Sequence, residues 1–193
     1  TEYEISELEK EHNRRVLRQA EPVSDSNSAR AWNHPFTKKD VTERMQKYEH
    51  NLRLILGLAR EQQIPIVMGT VPSNLLRPYI PQQSAARYQE VYQLWKNEQT
   101  DEGIALAKQI LVETAGRHQS SDLENNILRK LANEFSVRLV DVERLVSRAE
   151  PHRIPGEEMF DDHCHLSEAG RAIWISGYKS AIRELISTTI DMQ

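Results

Sequence analysis

The run IPIVMGTVP, residues 64–72, decides the fold class that this sequence predicts. It is short and apolar, it contains several β-branched side chains, and it closes with Pro72. A strand of a parallel sheet has this composition because helices cover both of its faces. We therefore expect a buried parallel strand here.

The segment before this run predicts a long amphipathic helix. Thr37 and Asp40 have the spacing of a capping box, and apolar residues then recur at intervals of three and four as far as Ala59. We expect this helix to span residues 38–62. A helix that leads into a buried strand is one step of an α/β fold.

The segment after the run predicts a loop and then two helices that form a hairpin. Residues 73–83 contain two prolines, Pro78 and Pro81, and helical patterns follow at 84–98 and 101–115. Thr100 is expected to cap the second helix and Gly116 to end it. We expect the apolar stripes of the two helices to face each other across the hairpin. The first helix contributes Tyr88, Val91, Tyr92 and Trp95, and the second contributes Ile104, Ala107, Ile110 and Leu111.

The rest of the chain predicts another helix–strand step and a last helix. Ser121 and Glu124 form a second capping box, which opens a helix to about Phe135. The sequence VRLVDVERLV then predicts a second buried strand at 137–142, followed by a loop rich in Pro and Gly. Ser167 is expected to cap a final amphipathic helix. The predicted order is helix, strand, helical hairpin, helix, strand, loop and helix.

Composition excludes several classes of protein. The 193 residues are 38% hydrophobic and 28% charged, with a formal net charge of -4 and no basic stripe, which argues against nucleic acid as a partner. No apolar run approaches the roughly 18 residues of a membrane helix. The single cysteine, Cys164, excludes an internal disulfide framework. The compartment stays open, because a leader would precede Thr1.

The stretch FDDHCHLSEAG, residues 160–170, holds the candidate functional residues. Asp162 and His165 lie three apart on a predicted tight loop. A carboxylate that bonds one imidazole nitrogen fixes the tautomer and the orientation of a general base. The stretch has two other interpretations, which are a polar loop without chemistry and a metal site.

The metal interpretation uses His163, Cys164 and His165, which are zinc-ligand types. In an extended segment the two histidines share a face, but Cys164 points away. The remaining histidines show no paired spacing that would supply distant ligands. The spacing therefore favours the metal site less than the Asp162–His165 pair.

Three segments resemble consecutive blocks of the SGNH (GDSL-type) hydrolase family. IPGEEMFDDHCHLSEAGRAIW, residues 154–174, resembles the last block, in which an Asp-x-x-His loop opens the terminal helix. Residues 48–75 look like the family's late helix and strand, and residues 128–145 look like the following helix and last strand. The resemblance covers about residues 38–186, and its terminal block is the most specific part.

The resemblance implies an α/β fold that is helix-rich overall, the C-terminal part of the flavodoxin-like SGNH hydrolase fold. Residues 38–83 and 119–193 would form this core. Residues 84–118 would be a helical-hairpin insertion, similar to one in a bacterial subgroup whose SGNH domain accompanies tetratricopeptide-like helices. Residues 1–37 would form an N-terminal helix and polar loop.

The resemblance also implies an activity. His165 would be the general base of an ester hydrolase and Asp162 the acid that orients it. The substrate would be an acyl ester, or an O-acetyl group on a carbohydrate. The reaction would require no metal or organic cofactor.

The sequence departs from the family pattern in its first third. The family's serine nucleophile lies in a Gly-Asp-Ser-like turn after a strand, and a Gly and an Asn supply oxyanion donors. Ser26 follows Asp25, but Ser24 replaces the glycine and no apolar strand precedes it. We expect these elements to precede Thr1, with an upstream domain or self-association completing the sheet. The 193 residues alone should then be weakly active or inactive as an esterase.

A second hypothesis makes the chain a helical interaction module. Its partner surface would be the hairpin at 84–116, with Tyr92 and Trp95 as contact residues. A catalytically incomplete hydrolase core would then serve only as a scaffold.

Overall fold

A computed structural model describes residues 37–191, and of residues 188–191 only the helical backbone. Apart from Thr37, the predicted N-terminal unit of residues 1–37, which includes Ser26, lies outside the described residues. The described part is helix-rich α/β, with six helices and a two-stranded parallel sheet. In chain order the elements are α1 (Lys38–Glu61), β1 (Val67–Gly69), α2 (Gln82–Lys96), α3 (Thr100–Glu113), α4 (Asp122–Glu134), β2 (Arg138–Val140), α5 (Val142–Ala149) and α6 (Glu168–Asp191).

The two strands are parallel, as predicted, but they are shorter than the apolar runs that indicated them. Met68 lies opposite Leu139 in the middle of the register. Pro65 and Pro72 flank β1 and have no N–H to donate to a ladder. Burial is also less complete than expected, because Arg138 of β2 is exposed and pairs with Glu184 on α6 at 3.0 Å.

Both predicted capping boxes are present. The backbone N–H of Thr37 donates to Asp40 Oδ2 at 2.6 Å, and Asp40 N–H donates back to Thr37 Oγ1 at 3.3 Å. Ser121 and Glu124 make the same reciprocal contacts at the start of α4. Each box satisfies N–H groups that the first turn of a helix leaves without partners. This local chemistry explains why the sequence placed both helix starts correctly.

The helical hairpin packs as its apolar stripes predicted. Seven of the eight predicted facing residues belong to one core cluster with Leu75, Leu76 and Ile80 from the loop after β1, and the eighth, Ile104, is partly buried and packs against it. The hydroxyl groups of Tyr88 and Tyr92 donate to the carbonyl oxygens of Leu75 and Leu76, at 2.6 and 2.9 Å. The hairpin is thereby fastened to the loop that follows β1.

The predicted ends of the second hairpin helix are wrong. Thr100 is the first residue of α3, and Gln99 occupies the N-cap without a side-chain hydrogen bond. The helix ends at Glu113, before Gly116. Thr114 terminates it instead, since its backbone is extended and its Oγ1 donates to the carbonyl oxygen of Ile110 at 2.7 Å.

The sequence prediction missed α5. The strand was expected to continue to residue 142, with a loop after it, but Asp141 accepts from Arg144 N–H at 3.4 Å and begins a helix. Val142 and Val146, four residues apart, are both buried on one face of this helix. In the sequence the apolar residues of α5 follow closely on those of β2. The combined run therefore predicts one longer strand and hides the helical spacing.

The sheet separates two core clusters. On one side α1 and α4 pack against Met68, and on the other side α5 and α6 pack against Val140. Gly69 allows α6 to pack closely on the end of β1, because a Cβ there would lie 2.0 Å from the hydroxyl of Tyr178 on α6. Within residues 37–191, none of the helices combines the length and apolar character needed to span a bilayer.

Candidate functional site

The candidate residues lie on a short closed loop between α5 and α6. Phe160 and Leu166 form an antiparallel bridge, and Asp161 N–H donates to the carbonyl oxygen of His165 at 2.9 Å. Ser167 caps α6 as predicted, accepting from Gly170 N–H at 3.2 Å. The loop is therefore held at both ends, by the bridge and by the cap.

Asp162 and His165 are in direct contact. His165 Nδ1 lies 2.7 Å from Asp162 Oδ2. The other carboxylate oxygen, Oδ1, accepts from the backbone N–H groups of Cys164 and His165, both at 2.8 Å. The carboxylate is thus fixed by its own loop and presents one oxygen to the imidazole.

The carboxylate of this pair stays ionised. Partial burial would raise the pKa of Asp162, but the two backbone N–H donors, the His165 imidazole and the charge of His163 together hold it well below its usual range. An anionic partner keeps a proton on His165 Nδ1 and leaves Nε2 as the basic nitrogen. The His165 side chain is 76% exposed, so a group from outside this loop can reach it.

Asn74 supports the loop from the other half of the chain. Its side chain is buried, and Nδ2 donates to the carbonyl oxygen of Asp162 at 2.9 Å. Its Oδ1 accepts from Arg77 N–H at 2.9 Å, and its own N–H donates to the carbonyl oxygen of His163 at 3.4 Å. The sequence placed Asn74 only within the predicted loop at 73–83, because nothing local to it reveals a partner 88 residues away.

His163 packs against aromatic rings and does not join His165. Its ring centroid lies 5.2 Å from Tyr79 and 5.6 Å from His118, and Tyr79 and His118 stack at 3.9 Å. Burial lowers the pKa of His163 and the nearby His165 adds to this, against the opposing effect of Asp162. His163 therefore packs against this aromatic pair and lies apart from the contact between Asp162 and His165.

The predicted set of metal ligands is not the set that the fold brings together. The ligand atoms of Asp162, His163 and Cys164 lie within 4.8 Å of one another, whereas His165 is engaged with Asp162. Burial and the charge of Asp162 raise the pKa of the Cys164 thiol, which disfavours the thiolate that binds zinc. A metal site of His163, Cys164 and His165 stays a prediction, and the closely spaced ligand atoms found within residues 37–191 belong to Asp162, His163 and Cys164.

Tyr92 and Trp95 do not form an exposed partner surface. Their exposed fractions are 3% and 4%, because both side chains lie inside the hairpin. Gly103 allows this close packing, since a Cβ there would lie 2.3 Å from Trp95 Nε1. The assignment of these two aromatic residues to partner contact is wrong.

A second polar cluster lies where the two strands end, and the sequence prediction missed it. Thr70 Oγ1 donates to Asp141 Oδ1 at 2.9 Å and accepts from Glu143 N–H at 3.0 Å. Arg129 of α4 binds both carboxylates, at 2.9 Å to Asp141 Oδ1 and 2.6 Å to Glu143 Oε2. These bonds join the ends of β1 and β2 to α4. The sequence signal that could have indicated this cluster is the presence of carboxylates directly after a predicted strand.

In comparisons with protein-family models, curated proteins and solved structures, none matched the chain.

Proposed function

We propose that this chain supplies the acid–base pair of a serine hydrolase that cleaves esters, with His165 as general base and Asp162 as its orienting acid. The observation that carries the proposal is the 2.7 Å contact between His165 Nδ1 and Asp162 Oδ2, on an imidazole that is open to solvent. The resemblance of residues 154–174 to the last SGNH block supports the same roles. The substrate is an acyl ester or an O-acetyl group on a carbohydrate.

The reaction divides into two half-reactions, and in each of them His165 first takes a proton and then returns it. Nε2 takes the proton of a serine hydroxyl as its oxygen attacks the ester carbonyl, and it returns that proton to the departing alcohol. Water then attacks the acyl-enzyme by the same route and releases the acid. Asp162, which remains anionic, stabilises the imidazolium that forms in each half-reaction.

The nucleophile belongs to a part of the protein outside residues 37–191. Ser167, the serine nearest to His165 in sequence, already donates to the carbonyl oxygen of Glu158 at 2.7 Å and caps α6. Within residues 37–191, none of the serine hydroxyls hydrogen-bonds to the His165 ring. The serine and its oxyanion donors would come from strands added beside β1.

Exposed apolar side chains support such an addition. Helices α1 and α6 each carry a row of exposed apolar side chains next to their buried face. Two further exposed apolar side chains flank β1. These residues are Leu54, Ile55, Leu58, Ile64, Val71, Ile175, Ile182 and Ile186. A parallel sheet normally has helices on both faces, so strands that extend β1 would be covered by these rows. An upstream domain is the proposed source, and a second copy of the chain is the alternative.

The test is ester hydrolysis by the protein that includes the residues its reading frame encodes before Thr1. With p-nitrophenyl acetate and acetylated xylo-oligosaccharides, His165→Ala should lower kcat by about 10²- to 10⁴-fold. His163→Gln is the matched control on the same loop and should keep most of the activity. Unchanged kcat in His165→Ala would contradict the proposal, and strong His165-dependent activity of the 193 residues alone would contradict the expectation that the nucleophile lies outside them.

A further inference from the structure

A cavity of about 390 Å³ lies on the other side of the loop that follows β1, and the proposed reaction does not use it. The cavity opens between this loop, the hairpin helix α3, the start of α4 and one face of α5. Its apolar wall consists of Val71, Pro72, Leu75, Ile104, Leu111 and Pro155. This volume lies in the range of small-molecule sites.

The loop after β1 separates the cavity from the Asp162–His165 pair. Ser73 lines the cavity, and its Oγ donates to the carbonyl oxygen of Ser120 at 2.7 Å. The next residue, Asn74, turns the other way and binds the carbonyl oxygen of Asp162. A ligand in the cavity would therefore meet a different set of residues from an ester at His165.

The amide and charged groups at the base of the cavity already have partners, whereas Ser120 Oγ, which also lines the cavity, is buried without a hydrogen-bond partner within residues 37–191. Asn125 accepts from Val71 N–H at 2.9 Å, and its Nδ2 donates to the Val71 carbonyl oxygen and to Glu143 Oε2, both at 3.0 Å. Lys108 binds Glu143 and lies 3.4 Å from Asp122. Saturated groups of this kind have little to offer the many hydroxyls of a sugar.

The charge of Glu143 fits this pairing. Burial alone would raise the pKa of Glu143, but the hydrogen bonds and charges of Lys108 and Arg129 outweigh burial and hold the pKa below its usual value. Glu143 is therefore ionised at neutral pH and balances Lys108. The charges at the base of the cavity therefore balance one another. The residues at the rim determine which charge a bound ligand carries.

The rim presents an unbalanced positive charge. Arg144, Ser147 and Arg148 lie on the same face of α5 and all line the cavity. Arg144 lies 3.3 Å from Asp141, and Arg153 lies 3.2 Å from Asp101. Of the cations that line the cavity, Arg148 alone has no acidic partner within residues 37–191.

We propose that this cavity binds a small monocarboxylate that carries an apolar tail. The carboxylate pairs with the Arg148 guanidinium, whose planar fork of donors matches two carboxylate oxygens. The tail packs against Ile104, Leu111 and Leu75, and this contact removes its apolar surface from water. This site goes beyond the proposed hydrolase function and does not depend on it.

The test uses octanoate as the probe, with isothermal titration calorimetry of the 193-residue chain at pH 7. Octanoate should bind with a Kd below about 1 mM, and acetate and 1-octanol should bind at least about tenfold more weakly, because each lacks one of the two groups. Arg148→Gln should weaken octanoate at least about tenfold and leave 1-octanol unchanged. Arg183→Gln, an exposed arginine on α6, is the matched control.

A second measurement distinguishes this cavity from the exposed apolar rows. In NMR titrations with octanoate, the amide signals of Ser120 and Ser147 should shift, while those of Leu58 and Ile182 should not. Ile104→Ser should weaken octanoate but not acetate, with circular dichroism confirming that the variant folds. Octanoate affinity unchanged by Arg148→Gln, 1-octanol binding as tightly as octanoate, or shifts confined to Leu58 and Ile182 would overturn the proposal.

Discussion

Asn74 Nδ2 donates to the carbonyl oxygen of Asp162 at 2.9 Å, although the two residues are 88 positions apart in the chain. The bond ties the loop after β1 to the loop that carries His165. Asn74 is 1% exposed, so water cannot replace the partners that it would lose. Asn74 is therefore a positioning residue for the Asp162–His165 pair, and it acts through the backbone of the loop.

Asn74→Ala should destabilise the protein and loosen the candidate site. Loss of the buried side chain leaves the Asp162 carbonyl oxygen and Arg77 N–H without their partner, at a cost of about 1–3 kcal/mol in unfolding free energy. Urea denaturation measures this change. The control is Ser73→Ala, which removes one hydrogen bond on the cavity side and should cost less, about 1 kcal/mol.

The NMR signal of the proton on His165 Nδ1 provides the readout specific to the site. In the wild-type protein at low temperature it should lie far downfield, because the proton on Nδ1 donates a charge-assisted hydrogen bond to the Asp162 carboxylate. Asn74→Ala should weaken or broaden this signal, whereas Ser73→Ala should not. An unchanged signal in Asn74→Ala would show that the loop keeps its geometry without Asn74.

Asp162→Asn should remove one acid-sensitive contribution to stability. The folded-state pKa of Asp162 is depressed, so its contribution is fully present above the unfolded pKa and is lost as the pH falls through and below about 4. The difference in unfolding free energy between wild type and Asp162→Asn should therefore shrink between pH 6 and pH 3. Asp161→Asn is the neighbouring control, and a difference that is constant with pH would contradict the assignment.

Glu150 should have the opposite effect on stability. Burial and the neighbouring Glu158 raise its pKa to about 7, against the hydrogen bond from Gly156 N–H. The folded state then binds a proton more tightly than the unfolded state, so stability falls as the pH rises from about 4.5 to about 7.

Glu150→Gln keeps the oxygen that accepts from Gly156 N–H and removes the titration. At pH 7.5 it should be more stable than wild type by on the order of 2 kcal/mol, and the gain should disappear near pH 4. Chemical denaturation across this range measures it. Glu157→Gln, an adjacent carboxylate that pairs with Arg77 at 3.3 Å, is the control and should not reproduce the gain.

Two glycines provide a matched pair of packing variants. Gly69→Ala places a methyl group 2.0 Å from the Tyr178 hydroxyl and should cost about 1–3 kcal/mol of unfolding free energy. Gly57→Ala, on helix α1, meets nothing within 4 Å and should stabilise by about 0.5–1 kcal/mol. Equal effects in urea denaturation would show that α6 does not pack closely on β1.

The exposed apolar rows should make the isolated chain self-associate. Sedimentation velocity should show species larger than a monomer whose fraction rises with concentration, because apolar surface beside a strand edge that is unpaired within residues 37–191 favours pairing. Leu58→Lys and Ile182→Lys should each shift the distribution toward monomer without lowering the melting temperature. A wild-type chain that stays monomeric at all concentrations would remove this support for added strands.

Local patterns in the sequence determined a large part of this protein. The capping boxes at Thr37 and Ser121 were predicted because their partners lie three residues away. The facing stripes of the hairpin followed from helical periodicity, and the parallel strands from short apolar runs. The Asp162–His165 contact belongs to the same class, since a single turn brings the two side chains together. Interactions of this range depend on the backbone conformation of a few neighbouring residues, which composition and spacing specify.

Only the tertiary structure decided what depends on distant partners. It supplied the bond from Asn74 to Asp162, the cluster around Thr70 and Arg129, and the cavity between the loop after β1 and α5. It also ended β2 early, because Asp141 caps α5 and binds Arg129. These contacts join residues from separate elements, and the free energy of packing those elements, rather than any local preference, sets which side chains meet.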